Sequence, residues 1–113
     1  TSVRLLFYMF GNDAAGDAVR DALARAAARG CDVRLVVDSF GSGVTDDYFA
    51  PLTEAGGHCC LFHPVIGRRY LLRNHQKLVV VDGEQAIIGG ANIAVSYFSE
   101  DPKAWRDLWL LLE

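Results

Sequence analysis

The chain has 113 residues, 51% of them hydrophobic and 22% charged, which excludes a disordered segment and allows one domain with one core. Its formal charge of −3 lacks the basic footprint of a nucleic-acid module, so nucleic acid is the disfavoured partner unless a local patch such as Arg68, Arg69 and Arg73 suffices. The longest apolar runs, Leu78 to Val81 and Leu108 to Leu112, fall far short of the roughly 20 residues that a membrane span needs.

Val3 to Phe10 is a dense run of branched and aromatic residues ended by Gly11-Asn12-Asp13, which predicts a buried strand. The period then changes. From Ala14 to Arg29, Val19, Leu23, Ala26 and Ala27 share one helical face, and Gly30 stands at the stop position. Asp32 to Asp38 predicts a second strand, completing a βαβ unit with right-handed parallel pairing. A loop with two glycines, Phe40 to Val44, leads to a short helix capped by Thr45, running through Ala55 and stopped by Gly56-Gly57. His58 to Phe62 predicts a third strand before Pro64. Beyond a basic loop, Gln76 to Val81 and Ala86 to Ile88 form two short strands around the turn Asp82-Gly83-Glu84, and Asp107 to Leu112 forms the last. The class is α/β, with apolar strands covered by helices on both faces.

Cys31, Cys59 and Cys60 imply no disulfide framework, since their number is odd and the last two are sequence neighbours. His58, Cys59, Cys60 and His63 resemble a zinc cluster in composition alone. No second ligand pair at finger-like spacing follows, so they read as strand, and no metal is expected. Softer features have two readings each. Tyr8 and Phe10 are core or reach a pocket edge; Arg68, Arg69 and Tyr70 are solvated loop or meet an anionic group; Asp38 and Ser39 cap a turn or border a ligand at a strand end.

The informative stretch is Arg73 to Asn92, which contains His75, Lys77, Asp82, Gly89, Gly90 and Asn92 in the arrangement H-x-K-x4-D-x6-G-G-x-N. Positions two apart in an extended segment point the same way, so His75 and Lys77 can address one ligand together. An ammonium suits phosphate oxygens, and a neutral imidazole nitrogen can attack phosphorus. Asn92 can donate to the same oxygens, while the paired glycines admit close backbone approach and offer N–H donors. Each piece alone is commonly a solvated side chain or a turn. Six specified positions placed around two apolar strands are a far more specific signal.

This stretch resembles the HKD motif of the phospholipase D superfamily, with Gly90 at a position where Ser is also common. The flanks, including "RGCDVRLVVDSFGS", "GGANIAVSYF" and Trp105-Arg106-Asp107, resemble bacterial cardiolipin synthase-like enzymes over nearly the whole chain. The resemblance implies a phospholipase D-like mixed sheet, flanked by helices on both faces, forming half of a pseudo-twofold pair. It implies a phosphatidyltransferase working through a phosphohistidine, with His75, Lys77 and Asp82 catalytic and Lys77, Gly90 and Asn92 on the substrate phosphate. His75 is either the nucleophile or the general acid and base, and Asp82 orients and charges a histidine, often one of the opposite half. No cofactor or metal is implied.

The other histidines, His58 and His63, are not followed by a lysine two residues later, so the second half of the site must come from elsewhere. The expectation is a single domain over residues 1–113 of a longer two-motif protein, acting on phospholipid, bacterial, and membrane-associated or cytoplasmic. A homodimeric single-motif phosphodiesterase or endonuclease is the alternative within enzymes. A catalytically silent interaction domain is the alternative outside them.

Overall fold

The computed structural model describes residues 1–62 and 75–113. The expected basic loop, with Arg68, Arg69, Tyr70 and Arg73, and also His63, lies outside the described residues. Strand β1, Ser2–Phe7, is followed by helix α1, Ala14–Ala28, and strand β2, Asp32–Asp38. A 3-10 turn, Asp46–Phe49, runs into helix α2, Ala50–Glu54, and strand β3, His58–Phe62. Strands β4, Leu78–Val81, and β5, Gln85–Gly89, precede a one-turn helix α3, Val95–Phe98, and strand β6, Trp109–Leu112.

The described strands form one six-stranded sheet in the order β3-β2-β1-β4-β5-β6. β1 pairs parallel with β2, and β2 with β3, as the βαβ reading requires. β4 lies antiparallel to β1, and β5 and β6 continue antiparallel. The sheet is therefore mixed. Consequently β1, β2, β3 and β5 end at the same edge where β4 and β6 begin, and this edge receives the motif.

The core sits between the sheet and its helices. Leu5 and Phe7 of β1 and Val33, Leu35 and Val37 of β2 alternate inward and are buried against Leu23 and Ala27 of α1 and Leu52 of α2. Val19 and Ala26 pack on the same cluster, so the helical face read from the sequence is the buried one. α1 starts on Asp13, whose Oδ1 accepts from the N–H groups of Ala15 and Gly16, and it stops at Gly30, held at φ 90°. On the other face of the same strands, Arg4 meets Asp32 across β1 and β2 at 2.5 Å, and Arg34 is exposed.

Several boundaries differ from expectation. β4 starts at Leu78 rather than Gln76, and β6 at Trp109 rather than Asp107. β1 ends at Phe7, because Tyr8 to Gly11 leave the ladder and Phe10 instead bridges Ile93. The segment from Thr45 is not one capped helix. Pro51 has no N–H to continue the turn begun at Asp46, so the segment splits, and the Thr45 side chain makes no capping bond. The turn of helix at Val95–Phe98 had no sequence signal and starts where the Val95 N–H donates to Asp13 Oδ2 at 2.9 Å.

Candidate active site

β4 runs away from the functional edge, so residues just before it sit at that edge beside the end of β1. His75 and Lys77 are placed there, and both border an open pocket of about 280 Å³ whose other walls are Gln76, Leu78, Ile88 and Gly89. His75 is exposed and Lys77 half-buried. Leu78 and Ile88 are paired across β4 and β5 and give the pocket an apolar wall beside its two polar side chains.

The imidazole lies flat on the ring of Tyr8, with centroids 4.0 Å apart and planes inclined by 14°. Of the two readings for Tyr8 and Phe10, the structure sets Tyr8 against the pocket-lining His75 and puts Phe10 in the core, fully buried against Phe49 and Tyr48. The end of β1 swings Tyr8 outward because Phe7 and Phe10 both turn into the core.

Asn92 is brought to the same edge by a second connection. The Met9 N–H donates to Asn92 Oδ1 at 3.1 Å, Ile93 N–H donates to Met9 O at 3.2 Å, and Gly11 N–H donates to Ile93 O at 2.6 Å. A backbone N–H can only donate, so the oxygen of the Asn92 amide faces Met9, and its nitrogen donates to the Tyr97 hydroxyl at 3.2 Å. Asn92 is 5% exposed. One of its two amide hydrogens remains beyond that bond, which is the donor a phosphate oxygen could use.

Two members of the motif make their contacts in this chain away from the pocket. The Gly90 N–H donates to Leu108 O at 3.3 Å and the Gly89 N–H to Lys77 O at 3.4 Å, so both bind the residues just before the neighbouring strands. What the glycines supply is space. A Cβ on Gly89 would stand 2.6 Å from Leu108 O and from the Trp109 ring, and one on Gly90 would overlap the Asp107 carboxylate. Asp82 is not brought to His75. The four strand residues between Lys77 and Asp82 carry it to the opposite edge, roughly 16 Å away at the rise of a strand. There Asp82 Oδ1 accepts the Ser2 N–H at 2.6 Å, and its own N–H donates to Ser2 O at 2.9 Å.

Asp38 caps a turn, as one of its two readings had it: its Oδ1 accepts the N–H groups of Phe40 and Gly41, and it is 1% exposed. Ser39 is tied to β3 through Phe62 O. His58, Cys59 and Cys60 lie on β3 with Cys59 turned inward, and burial pushes the Cys59 thiol up to about 12. A thiol so held stays protonated at neutral pH. Tyr97 and Asp107 are site-edge residues that sequence reasoning did not single out for a role. Asp107 was visible only as part of a flanking resemblance, and Tyr97 had no signal of its own.

A mixed sheet thus brings the motif histidine and lysine together at one strand edge. The sequence profile described as "Cardiolipin synthase, PLD-like domain" matches residues 1–103, and the chain belongs to this family. It is 37% identical over 98% of its length to the major cardiolipin synthase ClsA of Bacillus subtilis, and 34% identical over 93% to a cardiolipin synthase of Clostridium perfringens. It spans about a quarter of those relatives, 24% and 23% of their lengths. Among solved structures it resembles NucT from Helicobacter pylori, with a TM-score of 0.64 and 19% identity over 88% of this chain and 63% of that one. It also resembles Nuc from Salmonella typhimurium, a phospholipase D family member, with a TM-score of 0.63 and 21% identity over 98% of this chain and 64% of that one. At those identities the two structures bear on the fold, which they share with this chain.

Proposed function

We propose that the chain supplies one half of the active site of a phosphatidyltransferase that acts on phospholipid phosphodiesters in the manner of a cardiolipin synthase. The observation that carries this reading is that His75 and Lys77 line one pocket, so that a nucleophile or acid and a cation can address the same phosphoryl group. In the first step a histidine nitrogen attacks phosphorus, a P–N bond forms, the P–O bond to the leaving alcohol breaks, and a second histidine protonates the departing oxygen. In the second step the acceptor alcohol gives its proton to that histidine and attacks phosphorus. The P–N bond breaks and a new diester leaves. His75 fills one of these two histidine roles.

The other role and a second lysine come from a further half, in the remainder of a longer chain or in a second copy. Lys77 and the free amide hydrogen of Asn92 hold the phosphate. Asp82 acts from the opposite edge by setting the register of β4. Because the proposed substrate is a lipid, the full-length protein works at a membrane surface. No helix among the described residues is long and apolar enough to cross one.

The test uses the full-length protein with vesicles labelled at the phosphodiester phosphorus and an added alcohol acceptor. His75→Asn abolishes turnover, because an amide neither forms a phosphoramidate nor exchanges the proton. Acid-labile phosphoenzyme also disappears if His75 is the nucleophile, and it still forms from a substrate with a good leaving group if His75 is the acid and base. Lys77→Ala slows both steps, by roughly two to four powers of ten. Near wild-type turnover in His75→Asn would overturn the assignment in favour of a silent interaction domain.

A further inference from the structure

The in-plane lone pair or proton of an imidazole reacts along the ring plane, so the orientation of that plane sets the line of attack or proton transfer. His75 precedes β4 and is exposed, so the strand ladder does not enclose its ring. The face of Tyr8 lies parallel to it at 4.0 Å. A face-to-face contact restrains the plane and leaves both ring nitrogens at the free edges, which a hydrogen bond through one nitrogen cannot do.

Tyr8 is itself held by a built turn. Its carbonyl oxygen accepts from Ser42 Oγ at 3.2 Å, and that oxygen accepts the Phe10 N–H at 2.8 Å. Ser42 and Asp38 are 4% and 1% exposed, and Asp38 binds the N–H groups of Phe40 and Gly41 through one carboxylate oxygen. The turn presses Gly41 against Tyr8 so closely that a Cβ there would stand 2.5 Å from Tyr8 O and 2.7 Å from its ring Cζ. Only glycine leaves the ring where it is.

We propose that Tyr8 is a positioning residue whose ring face fixes the plane of the His75 imidazole, and that the Asp38–Ser42 turn seats Tyr8 through Gly41. This rests on His75 acting at phosphorus, as argued above. Its content is separate: a second stretch of chain, 67 residues before the motif by its numbering, is part of the reacting geometry.

The experiment compares Tyr8→Phe, Tyr8→Leu and His75→Asn in the full-length enzyme on phospholipid vesicles, with kcat and KM separated and thermal unfolding recorded. Tyr8→Leu lowers kcat about 10- to 100-fold with KM changed less than about threefold, and Tyr8→Phe, which keeps the ring, restores kcat to within about threefold. Wild-type kcat in Tyr8→Leu overturns the proposal, as does a Tyr8→Phe variant as slow as Tyr8→Leu, or a loss confined to KM. If Tyr8→Leu fails to fold, NMR of the wild-type full chain decides: ring protons of His75 shifted upfield by an aromatic face support the stack, and ordinary shifts overturn it. A fully active His75→Asn would instead bring down the functional reading. An inactive His75→Asn beside a fully active Tyr8→Leu removes the stack alone.

Discussion

The side-chain amide of Asn92 is bonded to the backbone of Met9, 83 residues away, and so joins the last position of the motif to the end of the first strand. Because Asn92 is buried, its substitution by alanine strands the Met9 N–H as well as losing the Tyr97 contact. Asn92→Ala is expected to cost about 1–3 kcal/mol in chemical denaturation. Tyr97→Phe, which removes only the acceptor on the nitrogen side, costs less. Equal losses in the two variants would show that the Met9 bond contributes nothing.

Asp13 links two helices, accepting from Ala15 and Gly16 with one oxygen and from Val95 with the other. Desolvation pushes its carboxyl up, but the three backbone N–H bonds together outweigh it and hold the group below the ordinary aspartate range. The folded value is depressed, so the contribution is fully present above the unfolded value and is lost as pH falls through the folded one. Asp13→Ala should lower stability by about 1 kcal/mol at neutral pH. The gap between wild type and Asp13→Ala in denaturation titrations should close as pH falls below the ordinary aspartate range. A gap independent of pH would remove the charged cap from the account.

The two glycines of the motif are not equivalent. A Cβ on Gly89 meets the fixed backbone oxygen of Leu108, whereas one on Gly90 meets the end of the Asp107 side chain, which can rotate away. Gly89→Ala is expected to destabilise the β5–β6 pairing by roughly 1–3 kcal/mol, as overpacking does. Gly90→Ser should be tolerated within about 1 kcal/mol. Thermal unfolding of both variants checks the difference, and the reverse order would contradict the geometry.

Asp82 holds a left-handed conformation at φ 55°, a region asparagine tolerates and β-branched residues do not. Asp82→Asn keeps an acceptor for the Ser2 N–H and should unfold near the wild-type temperature, while Asp82→Val should lose roughly 1–2 kcal/mol from the backbone alone. If Asp82 acts only on strand register, Asp82→Asn also retains turnover in the full-length enzyme. A loss as deep as that of His75→Asn would restore a direct catalytic role.

Periodicity alone determined the β1-α1-β2 unit, because alternate burial in β2 and the one-faced pattern of Val19, Leu23, Ala26 and Ala27 are local signals that the core then satisfies. The pairing of His75 with Lys77 was legible for the same reason: short spacing in an extended segment leaves few geometries. Tertiary structure decided what depends on contacts far apart in sequence. The Tyr8 ring beneath His75, the Met9 bond to Asn92 and the glycine N–H groups taken up just before the neighbouring strands all follow from which strands pair at one edge. Those pairings join backbone donors and acceptors of segments far apart in the chain, a condition that no local stretch of sequence displays.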